Sequence, residues 1–278
     1  MTLDVDKALN ELATRGIKLP PQPKVLLELR RLLDQDDYSM KDLAAVMSSD
    51  PGITALLFKA ARSPVFGRNR SFDNIEQVLM VVGVKQTFNL VQAAALSVSL
   101  SDASRKTFEI FWNRSQEVAQ IAGLIAADRV SVCNIFPDQA YMAGIFHECG
   151  VPVLMLRFPD YCERLNLHDA CCWPNLHEED AHFHMDHCSV GYLVARHWKL
   201  PDFVCQAIRY HHELPEQETG TVRTLVAILQ LAIHYYHRMG RIDDPAWKTL
   251  RADVLNELGI SPDIEQEYYE HISEQFHG

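Results

Sequence analysis

Apolar residues recur at intervals of three and four from Val25 to Leu100, and again from Phe108 onward. That spacing places them along one stripe of a helix, and nothing in the chain shows the strict alternation of a half-buried strand. Val25, Leu26, Leu29, Leu32 and Leu33 begin the series. Ser39-Met40-Lys41-Asp42 resembles a capping box with Asp in the acid position, ahead of Leu43, Val46 and Met47. Asp50-Pro51 offers an N-cap followed by proline at the first helical position. Asp73 or Asn74 opens a further helix that Gly83 interrupts. Later helices are predicted over 108–130, 139–155, 186–198, 203–212, 221–239 and 264–276, with 157–180 irregular and polar. The fold class is all-α, in two lobes: 1–105, and 106–278 with a C-terminal helical extension.

A chain of 278 residues can bury a large core. Its 47% hydrophobic and 23% charged residues are ordinary for a soluble globular protein. The seven cysteines are odd in number and form no CxxC pair, so reduced thiols and a cytoplasmic location are expected. The acidic N-terminus has no signal-peptide core, and no apolar run approaches the length of a membrane span. The net charge of −11 is uneven: residues 1–100 carry 12 Lys/Arg and 11 Asp/Glu, and 101–278 carry 14 and 26. An acidic C-terminal half repels phosphate backbones and suits a cation or a basic protein partner. Residues 40–62 read helix, turn, helix, but are too apolar and too poor in basic residues to face DNA.

All 13 histidines lie between His147 and His277. The first opens the pair His147-Glu148, inside the apolar run from Ala143 to Leu154. A histidine beside an acid in such a run needs polar partners or a metal. Asp186-His187 and His211-His212 flank helical patterns in the same half. Together they read as a histidine and carboxylate centre between helices, of the kind that holds metals in helical phosphohydrolases. If residues 177–188 were one helix, Asp180, His184, His187 and Cys188 would share a face suited to zinc or nickel, although a solvated loop is the plainer reading. Arg62, Arg68 and Arg70 surround the turn at 63–67, as a phosphate site or, more commonly, a scattered surface cluster. Cys149 reads as a packed core thiol.

Several stretches resemble a known family in order and spacing. Leu19-Pro20-Pro21-Gln22-Pro23, Ser48-Ser49-Asp50-Pro51, Phe66-Gly67 and Val81-Val82-Gly83-Val84 look like the first half of HDOD domains. Phe111-Trp112, Gly144-Ile145-Phe146-His147, Asp186-His187-Cys188-Ser189-Val190-Gly191, Trp198-Lys199-Leu200-Pro201 and Ala207-Ile208-Arg209-Tyr210-His211-His212 look like the second. The resemblance covers roughly 17–215. It implies an all-helical fold related to the metal-dependent HD phosphohydrolases. It also implies a bacterial signalling module that usually lacks a demonstrated activity.

The HD superfamily holds its metal with an early His, a His-Asp doublet and a late Asp. The resemblance places Arg114, His147, Glu148 and Ile233 at those positions. Arginine has no lone pair to give a metal, Glu148 is one methylene longer than Asp, and Ile233 has no ligand atom. The centre therefore reads as degenerate, with Arg114 buried and Glu148 its leading partner. His187, His211 and His212 stand where two-metal relatives such as the HD-GYP group carry extra histidines, and are expected to be hydrogen-bonded structural groups. The expectation is a non-catalytic signal-transduction module with no catalytic residue, cofactor or metal. It would work through a signalling protein partner, away from nucleic acid and membranes, with room for self-association along 84–100. The alternative is a metal-dependent phosphohydrolase with the altered ligand set His147, Glu148, His187 and His211.

Overall fold

The computed structural model of the chain describes residues 14, 16, 24–35, 37–49, 51–66, 72–94, 102–169, 171–215 and 220–277. Among them every regular element is a helix, as the apolar spacing predicts. The chain divides into one unit of Pro20–Ser99 and another of Met1–Leu19 with Leu100–Gly278. This division falls slightly before the 105/106 boundary read from the sequence and groups the leader with the C-terminal unit. No helix among the described residues is long and apolar enough to cross a membrane.

The smaller unit has helices α1 (Lys24–Leu33), α2 (Met40–Ser48), α3 (Pro51–Ala61), α4 (Ile75–Val82) and α5 (Val84–Ala94). The capping box forms as read: Ser39 Oγ accepts from the Asp42 amide at 3.1 Å, and the Asp42 carboxylate accepts from the Ser39 amide at 3.1 Å. Asn74 caps α4, and Gly83 ends it at φ 86°, a conformation that favours glycine. Leu26, Leu29, Leu43, Met47, Leu57, Val78 and Leu79 form the unit's buried core. The leader prolines, Asp50, Gly67, Arg68, Arg70 and the end of the 84–100 segment lie outside the described residues.

The larger unit begins with α6 (Asp102–Cys133), whose 32 residues span about 48 Å. Then come α7 (Pro137–Phe146), α8 (Gly150–Arg157), α9 (Tyr161–Arg164), α10 (Leu176–Phe183), α11 (His187–His197) and α12 (Asp202–Tyr210). The last three are α13 (Thr221–Met239), α14 (Trp247–Glu257) and α15 (Glu265–His277). Helix α13 is central, packing on α6, α7, α12 and α14. Its Leu225, Val226, Ile228, Leu229, Leu231 and Ala232 are fully buried. Helix α14 is absent from the sequence reading, though Trp247, Leu250, Val254 and Leu255 carry the helical spacing. With Tyr268 and Ile272 of α15, Trp247, Val254 and Leu255 join the same core, so the C-terminal segment is integral rather than appended.

Three departures from the sequence reading build the site. The helix expected over 139–155 is two helices joined by a turn at residues 147–149, where the Cys149 amide donates to Phe146 O at 2.9 Å. The stretch expected to be irregular contains α9 and α10, the latter capped by Asn175. Helix α10 ends at His184 in the left-handed region, φ 54°, so Asp180 and His184 do not share a helix with His187 and Cys188.

Candidate functional site

His187 and Cys188 open α11, and His211 and His212 follow directly on α12. Asp186, read with His187 as an acid and histidine pair, is instead the N-cap of α11: its Oδ1 accepts from the Ser189 amide at 2.7 Å. Helices α8 and α11 meet backbone to backbone. A Cβ built on Gly150 would lie 2.0 Å from His187 O and 2.7 Å from Gly191 N. A Cβ on Gly144 would lie 2.4 Å from Ala119 Cα, which brings α7 equally close to α6. These two glycines let the turn carrying His147 and Glu148 approach the start of α11.

The imidazoles are oriented from behind. Nδ1 of His147 donates to Gly144 O at 2.7 Å, and Nδ1 of His211 donates to Ile208 O at 2.7 Å. Nδ1 of His187 donates to Glu179 Oε2 at 2.7 Å, and the His187 amide donates to the same oxygen at 3.2 Å. The Tyr161 hydroxyl donates to the other oxygen of Glu179. Each Nδ1 is thus committed as a donor, which leaves Nε2 of the neutral ring as a lone pair.

The Nε2 atoms converge. His187 Nε2 lies 3.2 Å from His211 Nε2 and 3.0 Å from His212 Nε2. Cys188 Sγ lies 3.6 Å from His187 Nε2. Both oxygens of Glu148 and Nε2 of His147 are buried without a hydrogen bond, and they face the same space. Glu148 Oε2 is 3.9 Å from His187 Nε2, and Oε1 is 3.8 Å from His147 Nε2. Buried polar atoms left without partners are uncommon, and here several sit together.

Burial drives His147 below its ordinary pKa, against the pull of Glu148. Burial, with His187 and the other neighbouring imidazoles, holds His211 and His212 well below it. At His187 burial opposes the charged form, but Cys188, Glu148 and Glu179 outweigh it and raise the pKa well above the ordinary value. Burial raises the Cys188 thiol, with His187 opposing.

The four residues that the resemblance assigns to the HD ligand set fall as follows. His147 and Glu148 point into the centre. Arg114 is buried, as expected, and burial lowers its pKa while Glu148 counters. The expected ion pair between Arg114 and Glu148 is not formed, because Glu148 has its oxygens near the two imidazoles instead. The guanidinium donates from Nη2 to Cys172 O at 3.0 Å and lies over the Trp173 ring, 4.1 Å from its centroid. Desolvated stacking of this kind contributes about 2 kcal/mol. A double-mutant cycle of Arg114→Ala and Trp173→Ala, followed by urea unfolding, should return a coupling of about 1–2 kcal/mol. Additive losses would mean that the stack contributes nothing.

Ile233 lines a cavity of about 500 Å³ together with Glu148, Trp173, His211, His212 and Gln230. Gln230 Oε1 and Trp173 Nε1 have no hydrogen-bond partner. Sequence reading missed Glu179 and Tyr161, which lie in the stretch taken as irregular, and gave Cys188 no place beside His211 and His212. It also missed the cavity residues Trp173, Gln230 and His237. No spacing rule connects these positions; only the folded chain does.

The model of the HDOD domain matches residues 19–214. A candidate phosphohydrolase of Shewanella amazonensis SB2B shares the fold, with a TM-score of 0.66 and 21% identity over 97% of this chain and 93% of the other. A candidate signal transduction protein of Marinobacter aquaeolei VT8 aligns at 0.66 and 21%, over 98% of this chain and 63% of the other. An HDOD domain protein with unknown function from Geobacter sulfurreducens aligns at 0.58 and 24%, over 99% and 100%. An uncharacterized protein of Treponema pallidum (strain Nichols) is 27% identical over 237 residues, 82% of this chain but 45% of the other, so the chain spans less than half of that relative. At these identities the solved structures establish the fold alone, while the domain match spans well over half of the sequence: the chain belongs to the HDOD domain family.

Proposed function

We propose that this chain is a non-hydrolytic signal-transduction module, acting through contacts with a protein partner, with a cleft in which the phosphohydrolase metal set cannot assemble. The observation that carries this reading is the pair of replacements at that set. The resemblance assigns the early histidine's position to Arg114, whose buried guanidinium stacks on Trp173, and the late acid's to Ile233, which lines the cavity. Metal-assisted hydrolysis needs enough neutral or anionic ligands and one open coordination position. The HD set retains His147 and Glu148 only, and a fixed positive charge nearby disfavours a dication there. The cleft keeps a volume and polar lining suited to a small effector, and the acidic balance of residues 101–278 suits a basic protein surface.

A second reading is a metal-dependent phosphohydrolase with an altered ligand set, His147, Glu148, His187 and His211. It is favoured by the unpartnered ligand atoms of His147 and Glu148 and by fold relatives described as phosphohydrolases. Arg114 would then clamp a substrate phosphate.

One assay separates the two. Protein supplied with magnesium, manganese, iron or zinc should turn over phosphomonoesters, phosphodiesters and cyclic dinucleotides no faster than its His147→Ala variant. Metal-dependent turnover that disappears in His147→Ala would establish the second reading.

A further inference from the structure

We propose that His187, Cys188, His211 and His212 bind one tetrahedral transition-metal ion of the zinc class, through three imidazole nitrogens and one thiolate. Each of the four offers a ligand atom, and all of these lie within 4.8 Å of one another. Four of the six ligand-to-ligand spacings are close to those of a tetrahedron around a single ion, and the other two are within 4.8 Å. Zinc bonds of about 2.0–2.1 Å to nitrogen and about 2.3 Å to sulfur set tetrahedral neighbours about 3.3 Å apart for two nitrogens and about 3.6 Å for nitrogen and sulfur. The nitrogens lie at 3.2 and 3.0 Å, and Cys188 Sγ lies at 3.6 and 4.0 Å from Nε2 of His187 and His211.

The surroundings are those of a built site. Nδ1 of His187 is held by the buried Glu179 carboxylate, itself held by Tyr161, and Nδ1 of His211 by a backbone carbonyl. Such outer partners fix which ring nitrogen faces a metal. With the rings so fixed, Nε2 of His187 faces Nε2 of His211 and of His212, and a bound cation would take the place of the proton such nitrogens share. A thiolate at Cys188 and the Glu148 carboxylate, 3.9 Å from His187 Nε2, together neutralise a dication. One thiolate with three imidazoles selects zinc, cobalt or nickel over magnesium and manganese, which prefer oxygen. The ion would tie the start of α11 to the end of α12. Four protein ligands close the coordination sphere, so this site deepens the non-hydrolytic reading and rests on it.

Cobalt reports both geometry and sulfur ligation. The chelator-treated 278-residue chain titrated with cobalt(II) should bind one ion per chain. It should show the intense visible bands of tetrahedral cobalt and a near-ultraviolet thiolate-to-cobalt charge-transfer band. Cys188→Ala should lose the charge-transfer band, while Cys133→Ala, a thiol outside the cluster, should keep it. Zinc should displace the cobalt, and excess magnesium should not. X-ray absorption on the unsubstituted zinc-loaded protein should count one sulfur and three nitrogens, so the assignment does not depend on any variant folding. No stoichiometric binding, the weak spectrum of octahedral cobalt, a coordination sphere without sulfur, or a charge-transfer band that survives Cys188→Ala would each overturn the site. The first of these would leave the absence of hydrolysis standing. Phosphoester turnover by the cobalt-loaded protein would instead defeat the non-hydrolytic reading, even with the thiolate band present.

Discussion

Replacing Glu179 by alanine should destabilise the larger unit by about 3–5 kcal/mol, the range for stranding one member of a buried ionic pair. Glu179 is fully buried and accepts from His187 Nδ1, from the His187 amide and from the Tyr161 hydroxyl. Alanine would leave three donors without an acceptor at the root of the histidine cluster. Glu179→Gln keeps the shape and one acceptor oxygen, so its loss should be smaller. Urea unfolding of the two variants, with Tyr161→Phe as the partner in a double-mutant cycle, measures this. A loss for Glu179→Ala below about 1 kcal/mol, the size of an ordinary exposed contact, would show that the carboxylate is solvated and does not orient His187.

Gly150→Ala should be as damaging by a different route. The added methyl would sit 2.0 Å from His187 O, against backbone that cannot rotate away. Overpacking costs about 1–3 kcal/mol where side chains can yield. Here α8 or α11 must move as a whole, so the expected loss is at or above the top of that range. The shift would also carry His187 and Cys188 away from His211 and His212. Thermal unfolding and cobalt binding should therefore fail together in Gly150→Ala. Gly83→Ala, in the other unit, should lower stability without touching cobalt binding, because a Cβ there meets nothing and only the positive φ opposes it. Wild-type stability in Gly150→Ala would mean that the two helices are not in contact at this point.

The helical class was legible because apolar spacing is a local property, and the local signals behind α2 and α4 formed as read. The family was legible because its short motifs keep their order along much of the chain. Which histidines and acids would matter was legible only in part. His147, Glu148, His187, His211 and His212 stand out by residue type in apolar surroundings. Glu179, by contrast, lies in a polar stretch and looks like a solvated acid until α10 folds it under Tyr161. Arg114 shows a related limit. Its burial could be inferred from its position, but not its partner, because the choice between the Glu148 carboxylate and the Trp173 face depends on the turn at 147–149. That turn falls in an apolar run with nothing in its periodicity to mark a break. The relation of Cys188 to His211 and His212 is set by how α11 meets α12, a tertiary fact with no counterpart in spacing.

The central claim is that the phosphohydrolase metal position is closed while a four-ligand site beside it remains. Anomalous diffraction at the zinc edge, from crystals grown after zinc loading and washing, tests it most directly. The account predicts a single peak bonded to Cys188 Sγ and to Nε2 of His187, His211 and His212, with no peak between Arg114 and Ile233. A metal bound instead by His147 and Glu148 with an open position toward the cavity would contradict it.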